Sequence, residues 1–285
     1  MLVHSFKHIR HRQIRSTLIR VVIVCFTLLT LLPLLYILAY IIRRGIGAIN
    51  WSFFVELPKP VGERGGGIAN ALTGSVLIVA LATLMAVPVG LSSALYLSEH
   101  SRGKLAGFIR LCIEVLTGIP SIVVGIVAYY WLVRPMNSFS AFSGSVALAI
   151  MMLPIMIRSA EETLKRFPVH LREASLALGV PYYKTILKVL LPCSLSGVLS
   201  GIMLSIARVI GETAPLLFTA FGNPYLSFNI FHPMHSLPLL IYNYAISPYD
   251  SWHQLAWGAA WVLLMWILLL NVLTRIMIRK WSVRY

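Results

Sequence analysis

Arg172-Glu173-Ala174-Ser175-Leu176-Ala177-Leu178-Gly179-Val180-Pro181, continued by Tyr182 to Leu191 and closed at Pro192, is the stretch on which the reading of this chain turns. Ala and Leu recur on one face of its first part, which predicts a short helix stopped by Gly179 and Pro181. A second amphipathic stretch, Tyr182 to Leu191, ends at Pro192. Two short helices joined at a glycine and lying along a membrane surface make a protruding element that another protein can grip. An ordinary interfacial helix pair has the same amphipathicity, but it does not require a fixed interval between glycine and proline. The whole connection, from Arg158 to Pro192, is far longer than the turns that normally join helices.

Outward from this connection the chain is apolar. Of its 285 residues 58% are hydrophobic and only 12% charged, and the mean hydropathy is +0.82. Soluble domains carry roughly 45–50% apolar and about 25% charged residues, so the bilayer must serve as solvent here. Inside a bilayer the backbone has to satisfy itself, which leaves helices or a closed barrel. The apolar runs exceed the roughly 9–11 residues of a barrel strand. The expected architecture is therefore all-α and polytopic, with six transmembrane helices at Leu18–Ile42, Ala69–Leu97, Leu105–Val133, Gly144–Ile157, Cys193–Phe221 and Leu255–Ile278. The fourth is short. A basic cytoplasmic tail (1–17) precedes the first helix (18–42), a Pro- and Gly-rich periplasmic loop (43–68) follows it, and a five-helix core (69–278) carries the cytoplasmic loop 158–192 before a last tail (279–285).

The formal charge of +15 would suggest nucleic acid in a soluble protein, but Lys and Arg sit beside the apolar runs and no nucleic-acid partner is expected. They follow topology. Lys7, Arg10, Arg12, Arg15 and Arg20, then Arg102 and Lys104, then Lys165, Arg166, Arg172, Lys184 and Lys188, and last Arg279, Lys280 and Arg284 fall on one side, while Gly222 to Gln254 has none. Both termini are expected in the cytoplasm. Arg43, Arg44, Lys59 and Arg64 dilute the rule in the first loop. His4, His8 and His11 share a helical spacing, but the interleaved basic residues suit anionic lipid headgroups better than a metal. No metal site is expected, and Cys25, Cys112 and Cys193 are isolated within apolar segments.

Charges inside the membrane point to function. Arg208-Val209-Ile210-Gly211-Glu212-Thr213-Ala214-Pro215 places Arg208 and Glu212 four apart, on one face of the fifth expected helix. Each costs on the order of 3 kcal/mol near the bilayer centre, so such residues face a pathway or a partner. The guanidinium fork suits an oxyanion, and Glu212 tempers its attraction. Mutual neutralisation for helix packing is the plainer alternative. Gly211 and Pro215 loosen the helix locally and favour a cavity. Arg110 and Glu114 lie near the cytoplasmic end of their span and read as structural, while Arg158, Glu161 and Glu162 read as solvated.

The loop resembles the inner-membrane permeases of bacterial ABC importers, whose signature has Glu-Ala-Ala, a Gly six residues after the Glu, and a closing Leu-Pro. Glu173, Ala174, Gly179, Leu191 and Pro192 stand at the matching places, with Ser175 for the second Ala and Val189 for an Ile. Arg208 to Ala220, Gly65 to Ser75 and Gly118 to Gly125 resemble the phosphate-specific permeases of that family. The resemblance implies a type I ABC importer permease fold and a coupling loop that enters a groove on an ATPase. It also implies passage of phosphate past Arg208 and Glu212. The implied partners are a sister permease, PstC, two copies of the ATPase PstB, the periplasmic binding protein PstS, and phosphate-signalling proteins. ATP and Mg would be bound by the ATPase, with no cofactor in this chain.

No Gly-Lys-Ser or Gly-Lys-Thr phosphate loop, paired catalytic carboxylates or activated nucleophile occurs, so the chain is expected not to be catalytic alone. An importer of another oxyanion, an ion-coupled secondary transporter and a signalling scaffold remain as alternatives. Inverted repeats, which would mark the secondary transporter, are not seen.

Overall fold

The computed structural model describes residues 2–63, 65–100, 103–167 and 169–281, and side chains from 12 to 276 apart from 14, 64, 101, 102, 168 and 169. The side chains of His4, His8 and His11, and those of Lys7, Arg10, Arg64, Arg102, Arg279, Lys280 and Arg284, lie outside the described residues. Five helices are long and apolar enough to cross a membrane, and a sharply bent pair makes six if it is one span.

The first helix, α1 (Leu2–Gly45), stands apart from the rest, and no part of its apolar window is buried. It meets the bundle at its end, where Gly45 is buried so closely against Trp257 and Trp261 that a Cβ would fall 2.6 Å from the Trp257 carbonyl. After the short α2 (Trp51–Val55), capped by the Asn50 side chain, comes α3 (Ala69–Glu99). The third expected span is two helices, α4 (Lys104–Gly118) and α5 (Ser121–Met136), which meet at 107°. The proline between them is the cause. Pro120 disfavours helical geometry at Ile119, which is extended (φ −73°, ψ 129°).

The expected Gly144–Ile157 helix is longer than its apolar run, as α6 (Ala141–Lys165). Its serine-rich start folds as helix because the hydroxyls have partners: Ser140 caps Ser143 N–H, and Ser145 donates to the Ala141 and Ile78 carbonyls at 2.8 and 3.0 Å. The Ala141 and Phe142 amides donate outward to the carbonyls of His232 and Ile230. Helices α3 and α6 form the centre, running parallel, with Ser145 beside Ile78 at one end and Met156 against Gly90 at the other. Buried Ile78, Leu148, Met152, Val209 and Ile210 fill the space between them and the later helices.

After α7 (Val169–Ala177), helix α8 (Tyr182–Val209) runs unbroken, so the stretch expected to lie on the surface and end at Pro192 is the beginning of a transmembrane helix. A π turn over Ile186–Leu190 makes this possible. There the Leu191 N–H reaches back to Ile186, and the wider turn accommodates Pro192 just beyond. The same device precedes Pro135 in α5, where Tyr129–Val133 is a π turn closed by the Arg134 N–H. Gly197 and Gly201 bring α8 close to Thr163 and Ser159 of α6. The chain finishes with α9 (Ala214–Thr219), an irregular segment returning through a Phe221–Met234 bridge, buried α10 (Leu237–Ala245) and the long α11 (Asp250–Trp281).

Candidate functional site

Helix α8 ends at Val209, immediately after Arg208, and α9 begins at Ala214. Glu212 therefore stands in a break, which corrects the expectation that Arg208 and Glu212 share one continuous helical face. Pro215 has no N–H for the Gly211 carbonyl, and the Glu212 amide turns instead to Val209 at 3.1 Å. Arg208 Nε lies 4.0 Å from Glu212 Oε1, with the arginine side chain 55% exposed and the glutamate 20%. That is a loose ion pair with donors to spare.

Both side chains line a cavity of about 180 Å³ shared with Thr117, Pro120, Ser121 and Pro154. Two helix breaks converge there, the 107° bend at Pro120 and the break at 210–213, and they meet Pro154, which lies within the continuous α6 but cannot donate to the Ile150 carbonyl. Ser121 opens α5, whose helix start carries partial positive charge, with the Val123 N–H donating to the Pro120 carbonyl at 2.9 Å. Gly125 of α5 holds this geometry in place, since a Cβ there would fall 2.7 Å from Pro215 Cα. A guanidinium, the Ser121 hydroxyl and a helix start around a small space can hold a compact anion, with Glu212 opposing tight retention.

The segment expected to couple to an ATPase lies at the opposite end of α8. Gly179, at φ +75°, closes α7 in a Schellman arrangement in which its own N–H donates to Leu176 and that of Val180 donates to Ser175. Glu173, Ala174 and Gly179 are exposed, as are Leu176 and, at 83%, Leu178. Leu191 and Pro192 are not part of this exposed face; they stand in α8 beyond its π turn. Sequence reasoning missed Glu99. Its carboxylate, with 6% of the side chain exposed at the end of α3, accepts hydrogen bonds from both Arg172 and the Tyr182 hydroxyl and so ties α7 and the start of α8 to the central helix. Ser175 and Thr185 add a hydroxyl pair at 3.0 Å.

Residues 86–283 match the model of the family described as binding-protein-dependent transport system inner membrane component. The chain belongs to this family. The phosphate transport system permease protein PstA of Yersinia pestis is 41% identical over 248 residues, covering 87% of this chain and 84% of the relative. That of Pasteurella multocida (strain Pm70) is 37% identical over 273 residues, covering 95% and 97%. Among solved structures, an inward-facing MetNI methionine ABC transporter superposes with a TM-score of 0.65 at 17% identity, over 76% of this chain and 96% of the other. An amino acid ABC transporter structure gives 0.57 at 18%, over 75% and 93%. The fold is that of a type I ABC importer permease, a multi-pass inner-membrane component that works with an ATPase and a substrate-binding protein.

Of the other singled-out charges, Arg110 and Glu161 make structural contacts. Arg110 donates to Glu161 of α6 at 2.9 Å, and Lys165 donates to the same carboxylate at 2.5 Å. Glu161 is thus buried and paired, which corrects its reading as a solvated residue. Among the described residues, no three His, Cys, Asp or Glu side chains gather as metal ligands.

Proposed function

We propose that this permease moves inorganic phosphate across the cytoplasmic membrane, with Arg208 as the anion-binding group and Glu212 as the group that limits retention. The observation that carries the reading is the pair's place in a small cavity where two helix breaks meet Pro154 of α6. The likeness to PstA proteins supports phosphate as the anion. The proposed assembly contains PstC as sister permease, two PstB subunits binding ATP and Mg, and PstS delivering phosphate outside, with both termini of this chain in the cytoplasm. Phosphate-signalling proteins would contact the same complex.

Coupling follows from the continuity of α8. The exposed face of α7 docks on the ATPase, and α8 carries its displacement from Tyr182 to Arg208, a distance of about 40 Å at 1.5 Å per residue. The Glu99 tether delivers the same displacement to α3. Gly222 to Gln254, free of Lys and Arg, would form part of the surface beneath the docked binding protein.

Phosphate uptake by the reconstituted complex tests the reading. Arg208→Ala should abolish transport while leaving assembly intact, and sulfate and molybdate should fail to compete. Wild-type uptake by Arg208→Ala would remove the arginine from the pathway. Competition by sulfate or molybdate at phosphate's own concentration would assign the permease to another oxyanion.

A further inference from the structure

Between the end of α1 and the start of α11 lies a second cavity, about 670 Å³, lined by Tyr40, Arg43, Arg44, His253, Gln254 and Trp257. We propose that it binds the headgroup of an anionic phospholipid, with Arg43 and Arg44 on the phosphodiester.

The level is right for a headgroup. Residues 21–42 contain no charged side chain and, as helix, span about 33 Å, the thickness of the hydrocarbon layer, so the two arginines emerge at its boundary. Tyr40, Trp257 and the exposed Trp51 form the aromatic belt expected there. The apolar part of α1 below is exposed along its length, which leaves the site open to acyl chains.

The charge is available. Among the described residues neither arginine makes an ion pair; Arg44 lies 5.6 Å from the Tyr40 ring centre, which leaves its N–H donors free. Asp250 is on the rim but fully exposed, and its neighbour is His253 at 3.8 Å. His253 is itself fixed by a 2.7 Å contact to the Ser247 carbonyl, and Gln254 adds an amide donor. The floor is rigid because Gly45 locks α1 onto α11. Loop-charge asymmetry does not account for Arg43 and Arg44, since they fall on the side poor in Lys and Arg.

Native mass spectrometry of the complete importer complex, exchanged into equal amounts of phosphatidylglycerol and phosphatidylethanolamine, tests this. Wild type should retain phosphatidylglycerol selectively. Arg43→Gln with Arg44→Gln should reduce that preference about thirtyfold, as expected for two charges at an anionic surface. Gly47→Phe keeps both arginines and fills the cavity, where an added Cβ meets no atom within 4 Å, and should abolish retention too. Arg15→Gln with Arg20→Gln should leave retention unchanged. Undiminished retention in the Arg43/Arg44 variant, or in Gly47→Phe, would overturn the site. Displacement of the lipid by millimolar inorganic phosphate would reassign it to free phosphate.

Discussion

Glu212→Gln removes the charge that opposes an anion at Arg208 and changes little else, because glutamine keeps the size and the hydrogen-bonding reach of the side chain. Two unit charges 4.0 Å apart attract by about 4 kcal/mol at an effective dielectric of 20 and by about 1 kcal/mol in water. More than half of the Arg208 side chain is exposed, so the lower end of that range governs, at roughly 1 kcal/mol. Freed of its neighbour, Arg208 should hold phosphate about fivefold more tightly. Tighter holding in the conduit delays release, so the substitution should lower the half-saturating phosphate concentration and the maximal rate together. The assay is ATP-driven uptake of labelled phosphate into proteoliposomes, over a range of phosphate and binding-protein concentrations. A rise in the half-saturating concentration would refute the reasoning, since it would make Glu212 part of the attraction. An unchanged profile would make the pair a packing contact only.

Glu99→Gln should weaken the tether between α3 and the coupling segment, at a cost of about 1.5–3 kcal/mol for charge-assisted bonds to Arg172 and Tyr182. Hydrogen exchange of the α7 amides should quicken at least tenfold while those of α6 hold steady. Gly125→Ala places a methyl against backbone atoms of Pro215 that cannot rotate away, and should destabilise the complex by about 1–3 kcal/mol in thermal unfolding. His235, in the irregular segment before α10, is driven by burial from 6.5 down to about 4, and its ring Nδ1 accepts the Ser236 N–H. The unfolded chain therefore binds the extra proton between pH 6.5 and 4, and stability falls as pH drops through that window, by about 3 kcal/mol when complete. Unfolding temperatures of His235→Asn should lose that part of the pH dependence.

The apolar spans were legible because length and hydropathy alone decide them, and the short helix α7 because Ala and Leu recur on one face before the stop at Gly179. What each proline does was not legible. Pro33, Pro88 and Pro154 lie inside helices that continue, Pro135 and Pro192 follow π turns, and Pro120 and Pro215 stand at true breaks. Every one removes the same N–H, so local sequence cannot separate the outcomes; the difference lies in what receives the freed backbone. At Pro192 a π turn rearranges the bonding, whereas at Pro215 the chain turns away and α9 packs onto Gly125. Glu99 was hidden for a related reason, since its partners are 73 and 83 residues away. A break inside the membrane is tolerated where the loosened backbone lines a cavity or is buried in protein. The two true breaks and the Pro154 site meet at one cavity, and that cavity contains Arg208 and Glu212. The interruptions that defeat a span-by-span reading are thus the ones that open a polar space among apolar helices, and a permease with these helices unbroken would have no room there for an anion.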